Sequence, residues 1–448
     1  MSGSTVRLAA VAGLTALASG CLNEIVKVTE RDIIPPDAIN TPAGATALYA
    51  GALREFGIAI SGDAGGTEGQ ILTAGMMSDE FFFSDTFSTR IDYDMRATAL
   101  DNGTLAGVFR QLQNARLEAK RAIGALTATG AAAAADARLG VMYNRTGAIY
   151  LYAAMNYCSG VPFSDLVNGV VTPGTSQTTA QMLTAANAEF DRALGGAAGT
   201  NSVNHNTARL LKARSLMLSG GPAQYAAAAT LVAGIPTNFR AVNEHSIATP
   251  SNENGVFVFN HLSKRWSMAH LDGGNGLPFR GQGDGTNPAL ADPRLLWTRT
   301  GLGFDNTSPQ YNWLGSGARD AALPFGKGEE ARLIEAEAAL FADDVPTWLS
   351  KLNGLRTTVA GLAPLIDPVT PAARIDMLFS ERGFWLFGTG VRLSDLRRLV
   401  RQYGRAATAV FPNGPYRKGG NYGTDANFPV PTQEELQNPG AKCLDRNA

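Results

Sequence analysis

The chain has 448 residues, of which 45% are hydrophobic, and this is ample for a large buried core. Its 38 Lys and Arg residues nearly balance its 39 Asp and Glu residues, so the formal net charge is −1 at pH 7. This balance argues against binding to nucleic acid or to an anionic membrane surface. With 17% charged residues and 50 glycines, the composition suits a binder of neutral, hydroxyl-rich ligands.

A short, uncharged apolar stretch precedes the first cysteine. Arg7 supplies one positive charge, residues 8–20 carry none, and small residues lead directly to Cys21. The stretch is shorter than the about 20 apolar residues that span a bilayer, and it has the length of the core of a secretion signal. It resembles a bacterial lipoprotein signal, with residues 1–20 removed and Cys21 acylated; the alternative is an ordinary secretion signal that contains a cysteine. We therefore expect residues 21–44 to form a lipid anchor and tether.

From about residue 45 the hydrophobic pattern becomes helical. Alanine-rich segments with apolar residues at three- and four-residue spacing recur along the chain. Residues 208–216 and 225–231 form the clearest pair, separated by a Ser-Gly-Gly-Pro turn and followed by Pro236. Such a pair is typical of a tetratricopeptide repeat, whose helical hairpins stack because neither helix alone buries its apolar stripe. The sequence predicts a mainly α fold of stacked helical hairpins over residues 45–237.

The helical period disappears over residues 238–326. This stretch is rich in Gly, Asn, Asp and Pro, with short strand-like pieces such as residues 256–259. A loop-rich insertion of this length in a helical protein is usually functional, and we expect it to bind the ligand. The helical pattern returns in the C-terminal part, residues 327–448, although its tail is again rich in Gly, Pro and Asn.

Aromatic residues outside the helices suggest a sugar-binding site. A site for a neutral sugar needs flat rings for the apolar C–H faces and polar side chains for the hydroxyls. The aromatic residues concentrate in residues 81–93 and in the insertion, where they alternate with Asn, Asp and Arg. The stacking candidates are Phe82, Tyr93, Trp266, Tyr311 and Trp313. For each of them the alternative is a place in the core, since large aromatic side chains are mostly buried.

The chain has three cysteines and four histidines. If Cys21 is acylated, Cys158 and Cys443 remain as a pair in an exported, oxidising setting, and we predict a disulfide between them. The alternative is two separate thiols. The histidines lack metal-ligand spacing, so we expect no metal site and no cofactor.

Several blocks occur in an order that resembles the SusD/RagB family of outer-membrane nutrient-binding lipoproteins. An acidic, alanine-rich helix is followed by an Asn and Arg pair, then by Glu-Arg-Gly-Phe-Trp-Leu-Phe-Gly, and near the end by Phe-Pro-Val-Pro. These blocks are residues 329–340, 352–356, 381–398 and 428–439, with residues 78–81 as an earlier one. Departures at residues 357–358 and 383–386 leave the subfamily and the ligand open.

The resemblance implies a SusD-like fold and a lipid-anchored protein of the outer membrane that faces the outside of the cell. It also implies delivery of a captured nutrient, an oligosaccharide in the first place, to a SusC-like TonB-dependent transporter. A peptide or another nutrient is the first alternative, and a glycoside hydrolase is the second. No nucleophile motif, phosphate loop or metal cluster accompanies the acidic residues, so we expect no catalytic residues and no enzyme. Glu381, Arg382, Arg392 and Asp395 lie in two short helices, where we expect them to form ion pairs.

Overall fold

A computed structural model of the protein describes residues 39–129, 136–167, 170–195 and 202–447. The predicted signal sequence, Cys21 and most of the predicted tether lie outside the described residues. Within the described ranges, helices form the body of the protein and the strands are short. None of the helices in these ranges is both long and apolar enough to cross a bilayer.

The described elements comprise α-helices that range from one turn to seven turns, and five antiparallel strand pairs. The helices are α1 (Pro42–Ser61), α2 (Gln70–Met77), α3 (Ser88–Asp94), α4 (Gly103–Ala128), α5 (Ala137–Asn156), α6 (Thr179–Leu194), α7 (Val203–Ser219), α8 (Pro222–Val232), α9 (Gly255–Phe257), α10 (Gly328–Phe341), α11 (Val345–Arg356), α12 (Pro371–Trp385), α13 (Arg392–Arg401), α14 (Ala407–Val410) and α15 (Thr432–Gln437). The strands are β1 (Phe81–Phe83), β2 (Val161–Pro162), β3 (Asp165–Val167), β4 (Val170–Thr172), β5 (Ser176–Gln177), β6 (Arg240–Asn243), β7 (Trp266–Met268), β8 (Trp297–Leu302), β9 (Pro309–Trp313) and β10 (Leu323–Lys327).

The long helices pack as successive pairs. The pairs are α1 with α4, α5 with α6, α7 with α8, and α10 with α11, and each pair also packs on the next through α4–α5, α6–α7 and α8–α10. Each hairpin therefore covers the apolar face of its neighbour, as in other helical-repeat proteins. This confirms the predicted mainly α fold of stacked hairpins. The turn between α7 and α8 uses Gly220 and Gly221 at φ of 72° and 96°, a conformation that glycine adopts most easily.

Strand pairing holds the loop-rich insertion against the helical body. β6 pairs with β10 at the two ends of the insertion, so the insertion is closed at its base. Inside it, β8 and β9 form a hairpin. β7 leaves the insertion and pairs with β1, where Ser267 lies opposite Phe82. The insertion is therefore fixed to the segment that follows α2, and the candidate site forms at this junction.

Buried ion pairs join the C-terminal helices to each other and to the segment after α2. Arg392 donates to both carboxylate oxygens of Asp79 at 2.7 and 2.8 Å. Arg382 of α12 binds Asp395 of α13 in the same way, at 2.8 and 2.9 Å. Glu381 accepts from one arginine of the insertion and one of α11, at 2.9 and 2.7 Å. The expected ion pairing of these residues is confirmed, and it explains why the sequence blocks carry buried charges.

The C-terminal tail returns to the end of α5. Cys443 in the tail is joined by a disulfide to Cys158, with a Cα–Cα distance of 5.7 Å and a sequence separation of 285 residues. Phe428 of the tail packs edge-on against Tyr157 and Tyr93, with ring centroids 5.7 and 6.3 Å apart. The tail is thereby part of the core.

Candidate functional site

A cavity of about 800 Å³ opens where the insertion meets the C-terminal tail. We call it the site cavity. Its walls are Phe82 of β1, the turn around residues 270–273, Arg280, residues 307–311 at the start of β9, and tail residues that lie between 415 and 422. Its volume is typical of sites for small ligands.

The pairing of β1 places Phe82 in the wall of the cavity. Side chains alternate between the two faces of a strand. Phe81 packs in the core against Phe387, with ring centroids 5.1 Å apart, and Phe83 is also in the core. Phe82, between them, lines the cavity, and only 6% of its surface is exposed.

Arginine side chains cover two of the aromatic rings of the cavity, those of Phe82 and Tyr311. The guanidinium of Arg417 lies 4.1 Å from the ring centroid of Phe82, and that of Arg280 lies 3.7 Å from the ring centroid of Tyr311. Both distances are well within the range of cation–π attraction. One face of each ring is therefore occupied, and polar groups form a larger part of the wall than the aromatic residues alone suggested.

Two acidic residues stand beside these arginines. Oδ1 of Asp272 accepts a hydrogen bond from the Tyr422 hydroxyl at 2.8 Å, whereas its buried Oδ2 has no partner among the described residues. Burial, followed by the negative charge of Asp94, raises the pKa of Asp272 to about 7. At neutral pH this side chain can therefore either accept or donate a hydrogen bond.

Asp94 lies deeper, and all its hydrogen bonds from the protein go to Oδ2, whereas its buried Oδ1 has no partner among the described residues. It accepts hydrogen bonds from the Tyr416 hydroxyl and, at 3.1 Å, from the backbone N–H of Phe83. It also pairs with Arg417 at 3.4 Å. Burial raises the pKa of Asp94, and the charge of Arg417 partly offsets this effect. Asp94 thus orients the tail residues that line the cavity.

Arg280 is the cation of the cavity that lacks a carboxylate partner. It donates to the carbonyl oxygens of Gly285 at 2.9 Å and Met268 at 2.7 Å, and it takes part in no ion pair of the described residues. Burial lowers its pKa to about 10, so it remains charged at neutral pH. The cavity therefore combines guanidinium donors with an acidic group that has an unused oxygen.

No group of His, Cys, Asp and Glu within the described ranges could hold a metal ion. The four histidines form no cluster, and the rings of His261 and His270 contact backbone carbonyl groups. His270, in the cavity wall, accepts from the backbone N–H of Arg280 at 3.2 Å and contacts the carbonyl of Gly283 at 3.1 Å. Its role is to hold the turn in place.

Three solved structures of bacterial proteins resemble this chain over 79–93% of its length. A SusD superfamily protein from Parabacteroides distasonis has a TM-score of 0.66 and 14% identity and covers 89% of this chain and 98% of its own. NanU of B. fragilis has a TM-score of 0.62 and 13% identity, with coverages of 93% and 100%. A SusD-like carbohydrate binding protein from Bacteroides vulgatus has a TM-score of 0.58 and 14% identity, with coverages of 79% and 82%. The chain has the SusD-like fold.

Comparison of the sequence alone finds less. No protein-family model matches the chain, and no curated protein matches it. The resemblance noted in the sequence rests on short blocks. In this chain, charged residues of these blocks form ion pairs that join α12 to α13 and α13 to the segment after α2.

The SusD-like fold brings only some of the predicted stacking residues to the site cavity. Phe82 and Tyr311 line it. Tyr93 and Trp266 are fully buried and stack on each other with ring centroids 5.9 Å apart. Trp313 packs against Phe387 at 5.1 Å. None of these last three residues lines the site cavity, and their rings join the insertion to the core. Their stacking on a ligand stays a prediction.

The sequence interpretation missed the contribution of the tail. Arg417, Lys418 and Tyr422 line the cavity, together with Asp272 from the insertion. The tail was recognised only as rich in Gly, Pro and Asn. A Tyr-Arg-Lys run among turn-forming residues was the available signal, because loops that carry charged and aromatic side chains often bind ligands.

Proposed function

We propose that this protein is a lipid-anchored, surface-facing binding protein of the outer membrane that captures a small oligosaccharide in the site cavity and delivers it to a SusC-like TonB-dependent transporter. The SusD-like fold supports this proposal, as does the likeness to a protein described as carbohydrate binding. The observation that carries it is the cavity itself, with guanidinium groups beside an acidic oxygen that has no partner.

The recognition follows from the chemistry of hydroxyl groups. A sugar hydroxyl both donates and accepts, so it can donate to Oδ2 of Asp272 and accept from Arg417 or Arg280 at once. The exposed parts of Phe82 and Tyr311 add apolar contact. Because the ligand must be passed on, binding should be moderate, with a Kd on the order of micromolar or weaker.

A binding role fits the cavity better than hydrolysis does. A glycosidase needs two carboxyl groups that flank the scissile bond and reach the substrate. Asp272 lines the cavity, but Asp94 has only 1% of its surface exposed and is held by donors of the protein. We therefore propose that the protein is not an enzyme. Incubation with glycans that bind, followed by mass analysis, should return them uncut.

A glycan and peptide array, followed by calorimetry on the best ligand, tests the ligand class. We expect oligosaccharides to bind and Asp272→Asn and Arg417→Met each to weaken binding at least tenfold, since each removes a charge-assisted hydrogen bond. Asp101→Asn, which alters an exposed carboxylate that does not line the site cavity, should leave the affinity unchanged. Binding of short peptides alone would favour the peptide alternative, for which the opposite charges of the cavity could hold the two termini.

The anchor and the partner require tests in cells. We expect Cys21→Ser to prevent acylation and to move the protein from the outer-membrane fraction to the soluble fraction. Detection of an unmodified Cys21 on a membrane-bound protein would contradict the lipid anchor. Purification of the tagged protein from its native membrane should recover a TonB-dependent transporter.

A further inference from the structure

A second cavity lies within the helical body, between α1, α5, α7 and β6. Its volume is about 490 Å³, and it shares none of its lining residues with the site cavity. We call it the helical cavity. Its polar wall includes Tyr49, Asn144, Arg145, Asn243 and His245.

Arg145 is the central feature of the helical cavity. Its guanidinium lies 4.7 Å from the ring centroid of Phe56 and 4.5 Å from that of Phe325. Nη2 donates to the carbonyl oxygen of Val242 at 3.1 Å, and the buried Nε has no partner among the described residues. Arg145 takes part in none of the ion pairs within the described ranges. Burial lowers its pKa to about 10, so the charge persists at neutral pH.

Neighbouring groups are also left without partners. Oδ1 of Asn144 is buried, with 1% of the residue exposed, and accepts no hydrogen bond from the described residues. Nε2 of His245 is likewise without a partner, and burial lowers the pKa of His245, which keeps its ring neutral near pH 7. Buried polar groups normally have partners, and a buried cation without an anion is costly. The unpaired guanidinium therefore favours an anionic ligand, and the unpartnered Oδ1 of Asn144, which is an acceptor, favours one that also carries a donor such as a hydroxyl group.

We propose that the helical cavity is a second binding site, independent of the site cavity, for a small carboxylate of about monosaccharide size, with Arg145 as its counter-ion. The volume admits such a ligand. A carboxylate accepts from a guanidinium in a charge-assisted hydrogen bond, while Tyr49 and Asn243 can bond the polar remainder. Two other charged side chains line the helical cavity. Glu244 carries a negative charge that would oppose a carboxylate, but it is exposed and forms no ion pair with Arg145. Arg54 is paired with Glu55.

Gly57 of α1 permits a test that leaves Arg145 in place. A Cβ at Gly57 would meet no atom closer than Cε1 of His245, at 4.0 Å. Gly57→Ala should therefore fit, and alanine is the better helix former. Gly57→Leu should extend into the helical cavity and occupy the space that the ligand needs.

The experiment follows the arginine Nε–H resonances in a ¹H–¹⁵N spectrum during titration with glucuronate, and with glucose as the neutral control of the same size. We expect saturable shifts of the Arg145 signal with glucuronate and none with glucose. The affinity for glucuronate, measured by calorimetry, should fall at least tenfold in Arg145→Met and in Gly57→Leu. It should be unchanged in Gly57→Ala and should rise about two- to threefold in Glu244→Gln, since an exposed charge contributes little.

Several results would overturn the proposal. These are the absence of saturable shifts with glucuronate, equal binding of glucose, or unchanged affinity in Gly57→Leu. Arg145→Met keeps a chain that can pack between the two phenylalanine rings; should this variant fail to fold, Gly57→Leu decides alone. Because these variants lie outside the site cavity, oligosaccharide binding there should be normal in every one, so the two proposals fail separately.

Discussion

At the scale of single residues, the tryptophans of the insertion are buried in packing contacts, whereas arginines line both cavities. Trp266 stacks on Tyr93 and is fully buried. Arg280 and Arg417 instead cover the rings that reach the site cavity. The polar character of the cavity therefore comes from residues whose positions depend on contacts between distant parts of the chain.

Trp266→Ala should destabilise the fold. Removing a fully buried large side chain leaves a cavity, and we expect the free energy of unfolding to fall by about 3–5 kcal/mol. Urea denaturation monitored by circular dichroism measures this. Ile366→Ala is the control, because 83% of Ile366 is exposed, and its effect should stay within about 0.5 kcal/mol. A stable Trp266→Ala protein that has lost ligand binding would contradict this assignment and return Trp266 to the binding site.

Asp272 should make stability depend on pH. Its pKa is raised from the ordinary 3.8 to about 7, so the folded state holds the proton more tightly than the unfolded state does. The protonated Asp272 carboxyl group therefore stabilises the folded state fully below about pH 4, and this stabilisation is lost as the pH rises through about 7. Asp272→Asn resembles the protonated form and should lack this loss. Since Asp272 is partly exposed, we expect a difference of about 1–2 kcal/mol between wild type and variant to develop between about pH 4 and pH 8. If the free energies of unfolding of wild type and Asp272→Asn changed in parallel over this pH range, the raised pKa of Asp272 would be contradicted.

At the scale of elements, hydrophobic spacing was sufficient to predict the helical hairpins but not the cavity walls. The 3.6-residue period and the Gly-Gly turn identify α7 and α8, because both features are local. The three consecutive phenylalanines of β1 have no such period. Which of them faces the cavity depends on the pairing of β1 with β7, and these two strands lie far apart in the sequence. For the same reason the tail could not be assigned to the site.

The ion pair between Arg392 and Asp79 should be essential for docking α13 against the segment after α2. Only 5% and 1% of these side chains are exposed. Arg392→Met would leave the Asp79 carboxylate buried without its counter-charge, which costs about 3–5 kcal/mol. The double variant Asp79→Asn/Arg392→Met removes both charges and should recover part of the loss.

Arg401→Met is the matched control for this experiment. Arg401 pairs with Asp445, but 40% and 39% of these side chains are exposed, so the expected loss is about 0–1 kcal/mol. Equal effects of the Arg392 and Arg401 variants on urea denaturation would show that burial does not determine the strength of these pairs.

At the scale of the whole molecule, the site cavity is assembled from parts of the chain that lie far apart. Tyr416 of the tail bonds Asp94 of α3 across 322 positions, and Tyr422 bonds Asp272 of the insertion across 150. Each contact closes a long loop, so the walls of the cavity form only when the entire chain is folded. The disulfide between Cys158 and Cys443 fixes a later part of the tail to the end of α5.

Cleavage of this disulfide should therefore affect both stability and ligand binding. The bridge closes a loop of 285 residues, and its removal in Cys158→Ser/Cys443→Ser should lower the free energy of unfolding by about 2–5 kcal/mol. Greater motion of the tail should also weaken ligand binding several-fold, because Arg417 and Tyr422 would be held less firmly. Thermal unfolding and calorimetry measure the two effects. A reductant should lower the stability and the ligand affinity of the wild type towards those of the double variant, and it should leave the double variant unchanged. A response of both proteins to the reductant would contradict the bridge. Two free thiols in a non-reduced digest would also contradict it.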